Sequence, residues 1–422
     1  MRIRLLPIIL LSCTGMLSTE SSAKMPFDPA EHAVFETTRQ DGRYVSSRAI
    51  VHNLMDGRKP RLRYSSGMDS LQFAAWQDEV SRAMERLMRH PYMTDTDIKS
   101  PTLTARYSRD GYTVERWEAY PLSGAVVPYL VLVPDGVDAD NPVPAILCIP
   151  GFGQTKELLC GESSIDLDSS VVDPGRNSMA YHYVKEGYIA VAVDNPGCGE
   201  PCDLENMAGS GRADYVTLSR ALLELGWSYL GYTSYVDRHI LEWMKTQPSM
   251  RADRLVVSGF SLGTEPLMAL GAMDRDIYAF VYNDFLCTTR ERALVMTMPD
   301  NNGMRPWPND ISHLIPEFLC EFDFPDIVAS LAPRPLICTE GGLDRDFDLV
   351  RSAYSMAGEA DAFTAYHYTK FADKADREPV DSMPAGIDRS TFFRLANVDP
   401  PNHYFKAEHV LPWLRALFKD DK

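Results

Sequence analysis

The stretch Arg254-Leu-Val-Val-Ser-Gly-Phe-Ser-Leu-Gly263 leaves the chain few ways to fold around it. Leu255, Val256 and Val257 make a short apolar run, mostly β-branched, that suits a strand buried on both faces. Gly259-Phe260-Ser261-Leu262-Gly263 then fits Gly-x-Ser-x-Gly, a sharp strand-to-helix corner with a serine at its tip. The glycines let strand and helix approach closely, so the Ser261 hydroxyl stands clear of the backbone. An ordinary Gly/Ser turn can carry the same five residues. The rest of the chain decides between the two.

On either side, strand-like and helix-like runs alternate. Tyr112–Tyr120 and Val126–Val133 read as an antiparallel hairpin. Strands are then expected at Pro144–Ile149, Tyr188–Val193, Arg254–Ser258, Tyr278–Tyr282, Pro335–Thr339 and Ala362–Tyr368. Helices are expected at Asn177–Lys185, Tyr215–Leu225, Tyr229–Thr246 and Phe405–Phe418. Such alternation gives a mostly parallel sheet covered by helices on both faces. Upstream, Phe73, Trp76, Val80, Met84 and Leu87 recur at steps of three and four, the docking stripe of a helix over 69–90. This helix belongs to an N-terminal extension, residues 24–110, ahead of a main domain, 111–422. Two excursions, 288–324 and 371–397, interrupt the main domain where lids and binding loops are usually carried.

The N-terminus has the order of a secretion signal over residues 1–23. Arg2 and Arg4 precede the apolar stretch Leu5–Leu11, and Ser21-Ser22-Ala23 offers a cleavage site. The apolar stretch is too short to span a bilayer. Leu10-Leu-Ser-Cys13 also resembles a weak lipoprotein box, which would lipidate Cys13, but Leu11 fits that box poorly. The chain has 8 cysteines, and removal of Cys13 leaves an odd number, so they cannot all pair within one molecule. Cys148, Cys287 and Cys338 sit in strand-like runs as buried thiols, whereas Cys160, Cys198 and Cys202 lie in loops and are open to pairing. No Cys/His cluster has zinc spacing, so neither metal nor cofactor is expected. A net charge of −17 gives no attraction to phosphate backbones, which argues against a nucleic-acid partner.

A serine hydroxyl is a weak nucleophile and needs a base that is itself held in place. At a corner of this kind the chain order is serine, acid, histidine. Of the downstream histidines, His313 lies in an excursion, His367 in the last strand and His409 within the final helix. His403 stands after the last strand and at that helix's mouth, so it is the expected base. The acid is expected after Pro335–Thr339, where Asp344 follows a glycine turn; Glu340, Asp346 and Asp348 are its competitors. An oxyanion needs two backbone N–H groups, one from Leu262 and one from Phe152 in the loop Pro150-Gly-Phe-Gly153. That loop has neither the Gly-Lys-Ser/Thr of a phosphate loop nor dinucleotide-binding spacing.

From about Tyr112 onward the chain resembles α/β-hydrolases of the dienelactone-hydrolase and acetyl-xylan-esterase type. The resemblance is carried by Ile149-Pro-Gly-Phe-Gly-Gln-Thr-Lys-Glu157, Asp194-Asn-Pro-Gly-Cys-Gly-Glu200, Gly259-Phe-Ser-Leu-Gly263, Ala332-Pro-Arg-Pro-Leu336 and Asn402-His403. It implies a secreted serine esterase that removes acetyl or methyl esters from plant polysaccharides. The N-terminal extension is similar to that of bacterial pectin-methylesterase-like members. Two features depart from the family. Pro150 stands where the oxyanion loop usually has His before Gly, and the excursion 371–397 stretches the interval from acid to histidine. Trp307, between prolines, is a candidate stacking wall for a sugar, and Arg290 and Arg292 are candidate partners for a uronate carboxylate. Competing readings are a methylesterase acting on uronates, a serine peptidase, and a carbohydrate-binding protein on an inactive hydrolase fold.

Overall fold

The computed structural model describes residues 29–32, 37–90, 99–162, 174–203, 213–295 and 310–419. The chain divides into two compact units, Met1–Leu54 and Met55–Lys422. In the first, a single helical turn, Pro29–His32, precedes a bend in which the Arg39 guanidinium binds the Asp41 carboxylate.

The second unit is built on one nine-stranded sheet: β1 (Lys99–Arg109), β2 (Tyr112–Tyr120), β3 (Val127–Pro134), β4 (Val143–Ile149), β5 (Ile189–Ala192), β6 (Met250–Phe260), β7 (Ala279–Asn283), β8 (Leu336–Cys338) and β9 (Phe363–Ala365). Its order is β1-β2-β3-β5-β4-β6-β7-β8-β9. The hairpin β2–β3 is antiparallel, as its spacing predicts, and β4 through β9 pair in parallel. The sequence reading missed β1, an edge strand antiparallel to β2 and almost wholly exposed. An edge strand buries little, so it leaves no apolar alternation to detect. β9 ends at Ala365, so His367 lies beyond the strand rather than within it.

Successive residues of a strand point to opposite faces, and the two cores follow that rule. Ala145, Leu147, Leu255 and Val257 face one layer, with Tyr229–Lys245 and Thr264–Met273 among its helices. Ile146, Cys148, Val256 and Val281 face the other, covered by Met179–Lys185 and Ala407–Leu417.

The expected amphipathic helix runs Ser70–Met88 and buries Phe73, Trp76, Val80, Met84 and Leu87 against the first of these layers. Asp69 and Gln72 close its N-terminus as a capping box, which satisfies two otherwise unpaired amides. Trp76 donates its indole N–H to Leu62 O at 2.8 Å, so its polar edge is satisfied in the core. Truncating it to alanine would cost about 3–5 kcal/mol.

Arg334, from the Ala-Pro-Arg-Pro motif, is spent on architecture. It donates to Asp274 O at 2.7 Å and Gly271 O at 2.6 Å, at the end of the helix that Ser261 leads into. The seven described cysteines are free thiols, so Cys160, Cys198 and Cys202 stay unpaired. Cys13 and the expected signal segment lie outside the described residues. Among the described residues no helix is long and apolar enough to cross a membrane.

Candidate active site

Ser261 sits at the end of β6 with φ +51°, one of few non-glycine residues in the left-handed region. Such a backbone costs about 1–3 kcal/mol and persists only where the surroundings impose it. Here they do. A Cβ on Gly259 would come within 2.3 Å of Gly263 O, and one on Gly263 within 2.3 Å of Ile149 O. No larger residue fits either place, so the pentapeptide makes a steric corner rather than an ordinary turn. Thr264 Oγ1 donates to Ser261 O at 2.7 Å and pins the corner from the helix side.

His403 reaches the same place from the other end of the chain. Its ring stacks on Phe260, the residue before Ser261, with centroids 4.7 Å apart and planes at 25°. Its Nδ1 lies 2.5 Å from Glu340 Oε2. Glu340 is wholly buried and also accepts from Tyr368 Oη at 3.0 Å and Tyr404 N at 3.0 Å, with Lys406 Nζ at 3.1 Å. Facing the Glu340 carboxylate, Nδ1 carries the proton, and Nε2 is left as the acceptor. Burial works against the imidazolium, but the Glu340 carboxylate outweighs it, so His403 titrates above the ordinary imidazole range.

Asp344, the expected acid, is elsewhere. It pairs with His367 Nε2 at 3.3 Å and Arg377 Nε at 3.2 Å. The reason is the glycine turn before it. Gly341 and Gly342 both have positive φ, and a Cβ on Gly342 would meet Leu286 O at 2.2 Å. The turn carries the chain away from His403 before Asp344 opens the helix Asp344–Met356. Glu340 precedes the turn and stays at the mouth of β8. Of the other competitors, Asp346 is buried near Arg345, and Asp348 pairs with Arg351.

The loop Pro150–Gly153 is stapled beside the corner. Gly151 N donates to Gln154 Oε1 at 3.0 Å, Gly153 N to Tyr215 Oη at 3.0 Å, and Asn195 Nδ2 holds Pro150 O at 3.0 Å. The amides flanking Phe152 are thus already committed, and the Phe152 ring packs on Tyr215 at 4.4 Å.

Behind this loop lies a cluster that sequence reasoning missed. Lys156, wholly buried, is bound by Asp194 at 2.7 Å, Glu157 at 2.8 Å and Glu200 at 2.9 Å. Asp194 also accepts the Lys156 N–H at 2.7 Å, and Arg116 binds Glu200 from outside. Burial opposes the ammonium, but the carboxylates outweigh it and Lys156 stays charged. The signal was present, since Lys156 and Asp194 stand in two of the motifs quoted for the family resemblance.

The substrate-side candidates divide. Arg290 donates to Met55 O at 2.9 Å and binds Asp56, contacts that account for its guanidinium. Arg292 lies over the Phe285 ring at 5.7 Å and acts electrostatically on the neighbouring Asp284. Trp307 falls outside the described residues.

A family model of the Abhydrolase family matches residues 26–416. The chain belongs to the Abhydrolase family. Among solved structures, this Abhydrolase chain is 52% identical to a candidate acetyl xylan esterase from Bacteroides fragilis, with a TM-score of 0.87. That match covers 93% of this chain and 100% of the other. Methylesterase BT1017 is 18% identical with a TM-score of 0.53, covering 75% of this chain and 62% of that one, a likeness of fold alone. No curated protein sequence matches the chain.

Proposed function

We propose that the chain is a secreted serine carboxylic-ester hydrolase that removes acetyl groups from plant polysaccharide. The observation that carries this is His403, stacked on Phe260 at the nucleophile corner and held at Nδ1 by a buried carboxylate. Ser261 Oγ attacks the ester carbonyl while His403 Nε2 takes its proton. Glu340, in place of Asp344, keeps the imidazole in the required tautomer and stabilises the imidazolium. The N–H groups of Leu262 and Phe152 receive the negative charge on the carbonyl oxygen; losing one such donor typically costs about 10²–10³ in rate.

The carbonyl carbon–sugar oxygen bond then breaks as His403 gives its proton to that oxygen, so the sugar leaves with a free hydroxyl and an acyl-enzyme remains. Water, deprotonated by the same nitrogen, attacks that ester and frees acetate and Ser261. Residues 1–23 direct the chain out of the cytoplasm. The acetyl assignment is supported by the 52%-identical relative from Bacteroides fragilis, itself a candidate acetyl xylan esterase.

Two measurements test the reading. A fluorophosphonate probe should label the native protein and fail to label Ser261→Ala; labelling that survives the substitution would sink the nucleophile. Acetate and methanol release from acetylated xylan and from methyl-esterified pectin would separate the two ester types. Methanol release in excess would replace the acetyl assignment with a methylesterase.

A further inference from the structure

A second carboxylate stands beside His403. Asp284 follows β7 directly, and Glu340 follows β8; the two strands are adjacent and parallel, with Tyr282 opposite Cys338. Sheet register therefore delivers both carboxylates to one place. One oxygen of Asp284, one of Glu340 and one ring nitrogen of His403 all lie within 4.8 Å of one another. The residue before Asp284 serves the same segment: Asn283 accepts the Lys406 N–H at 2.8 Å and donates to Tyr404 O at 3.2 Å. The chain around His403 is thus clipped to both strands.

The two carboxylates are held differently. Glu340 has donors on both oxygens, whereas Asp284 Oδ1 takes the N–H of Phe285 at 2.8 Å and, among the described residues, Asp284 forms no ion pair. Burial pushes Asp284 up to about 6, His403 opposes that shift, Glu340 adds to it, and Arg292 opposes it again. Two carboxylates this close repel unless a positive charge lies between them. Lys406 and the His403 N–H already fill Glu340, which leaves little for a metal ion to bind. The charge that does form between them is the His403 imidazolium, when the ring takes the serine proton.

We propose that Asp284 is a second acid for His403, a positioning residue that stabilises the imidazolium beside Glu340 and orients the ring when Glu340 is removed. This rests on the triad reading above. The charged groups facing His403 are Glu340, Asp284 and Lys406; those facing Asp284 are His403, Glu340 and Arg292.

The test compares Glu340→Gln, Asp284→Asn and the double variant on a soluble acetyl ester, with thermal melts to establish folding. Loss of the acid from a triad with one acid costs about 10⁴ in kcat. With Asp284 in reserve, Glu340→Gln should lose only about 10², and the double variant the full ~10⁴. Asp284→Asn alone removes a negative charge from the imidazolium, so the acid limb of kcat/KM should move to lower pH, and Asp284→Glu should restore it. If Glu340→Gln does not fold, this pair of profiles carries the test, because a merely structural role would leave the limb in place. An unmoved limb in Asp284→Asn, or a double variant no slower than Glu340→Gln, overturns the proposal. Fluorophosphonate labelling of the native protein keeps the two readings apart: no labelling defeats the triad itself, whereas labelling with an unmoved limb defeats only the second acid.

Discussion

Two buried ion clusters flank the Ser261 corner, and they are built in opposite senses. On one side the centre is an anion, Glu340, surrounded by donors. On the other it is a cation, Lys156, surrounded by carboxylates. Both centres are fully buried, and each cluster reaches the surface at one member: the His403 side chain keeps 31% of its surface exposed and Glu200 keeps 34%. What differs is the exposed group. In the first cluster it is an imidazole, which can take up and release a proton beside the serine corner. In the second it is a carboxylate already bound by Lys156 and Arg116, while Lys156 and Asp194 are sealed at 0%. Neither burial nor exposure of charge identifies chemistry here. The kind of group exposed does, and the cluster sealed around Lys156 is better understood as the clamp that ties the Phe152 loop to the loop after β5.

Substitutions can break this contrast. The largest effect is expected at the His403 side: Ser261→Ala should lower kcat by about 10⁶ with the melting temperature unchanged, as steady-state assay and calorimetry would record. The sealed side should respond in stability. Lys156→Met strands the Asp194 carboxylate in the interior and should cost about 3–5 kcal/mol in denaturant unfolding. A variant of unchanged stability would show that the cluster clamps nothing.

Next comes the choice between acids. Glu340→Gln should cost about 10² in kcat, whereas Asp344→Asn should stay within about threefold, since it loses only contacts to His367 and Arg377. The reverse order would restore Asp344 as the acid. The native pH profile should show activity lost as pH falls through a midpoint above the ordinary imidazole value of about 6.5. The base works when neutral, and Glu340 raises the value at which it protonates. Smallest of all, Arg116→Leu at the half-exposed rim of the sealed cluster should change stability by no more than about 1 kcal/mol.

Much of this could be read from residues alone, for identifiable reasons. The apolar runs of β4, β6 and β7 are continuous because both faces are covered, and continuity is easy to see. The proximity of the Ser261 corner and His403, whose ring stacks on Phe260, was legible because corner sterics and chain order restrict both. The expected acid, Asp344, lies with His367 and Arg377, and Glu340, four residues earlier, is the carboxylate at His403; a glycine pair marks a turn without saying which side of it faces His403. That depends on the approach of Leu286 O to Gly342, a contact across more than fifty residues of sequence. The meeting of Asp284 with Glu340, and of Lys156 with Asp194 and Glu200, went unread for the same reason, since the fold brings them together and sequence spacing does not. β1 was invisible because it buries almost nothing.

The two excursions look independent in the sequence, but they share a small core. Val295 from the first packs with Phe371, Met383, Phe392 and Leu395 from the second, around Cys287 and Leu343. Ile387 N also donates to Val295 O at 3.1 Å, and Met383 N to Glu291 Oε1 at 2.5 Å. They form one cooperative piece, so neither can be shortened or exchanged with a relative on its own without exposing the apolar face of the other. The pair would be inherited, lengthened or lost together, and a chimera that transplants either excursion would have to carry both.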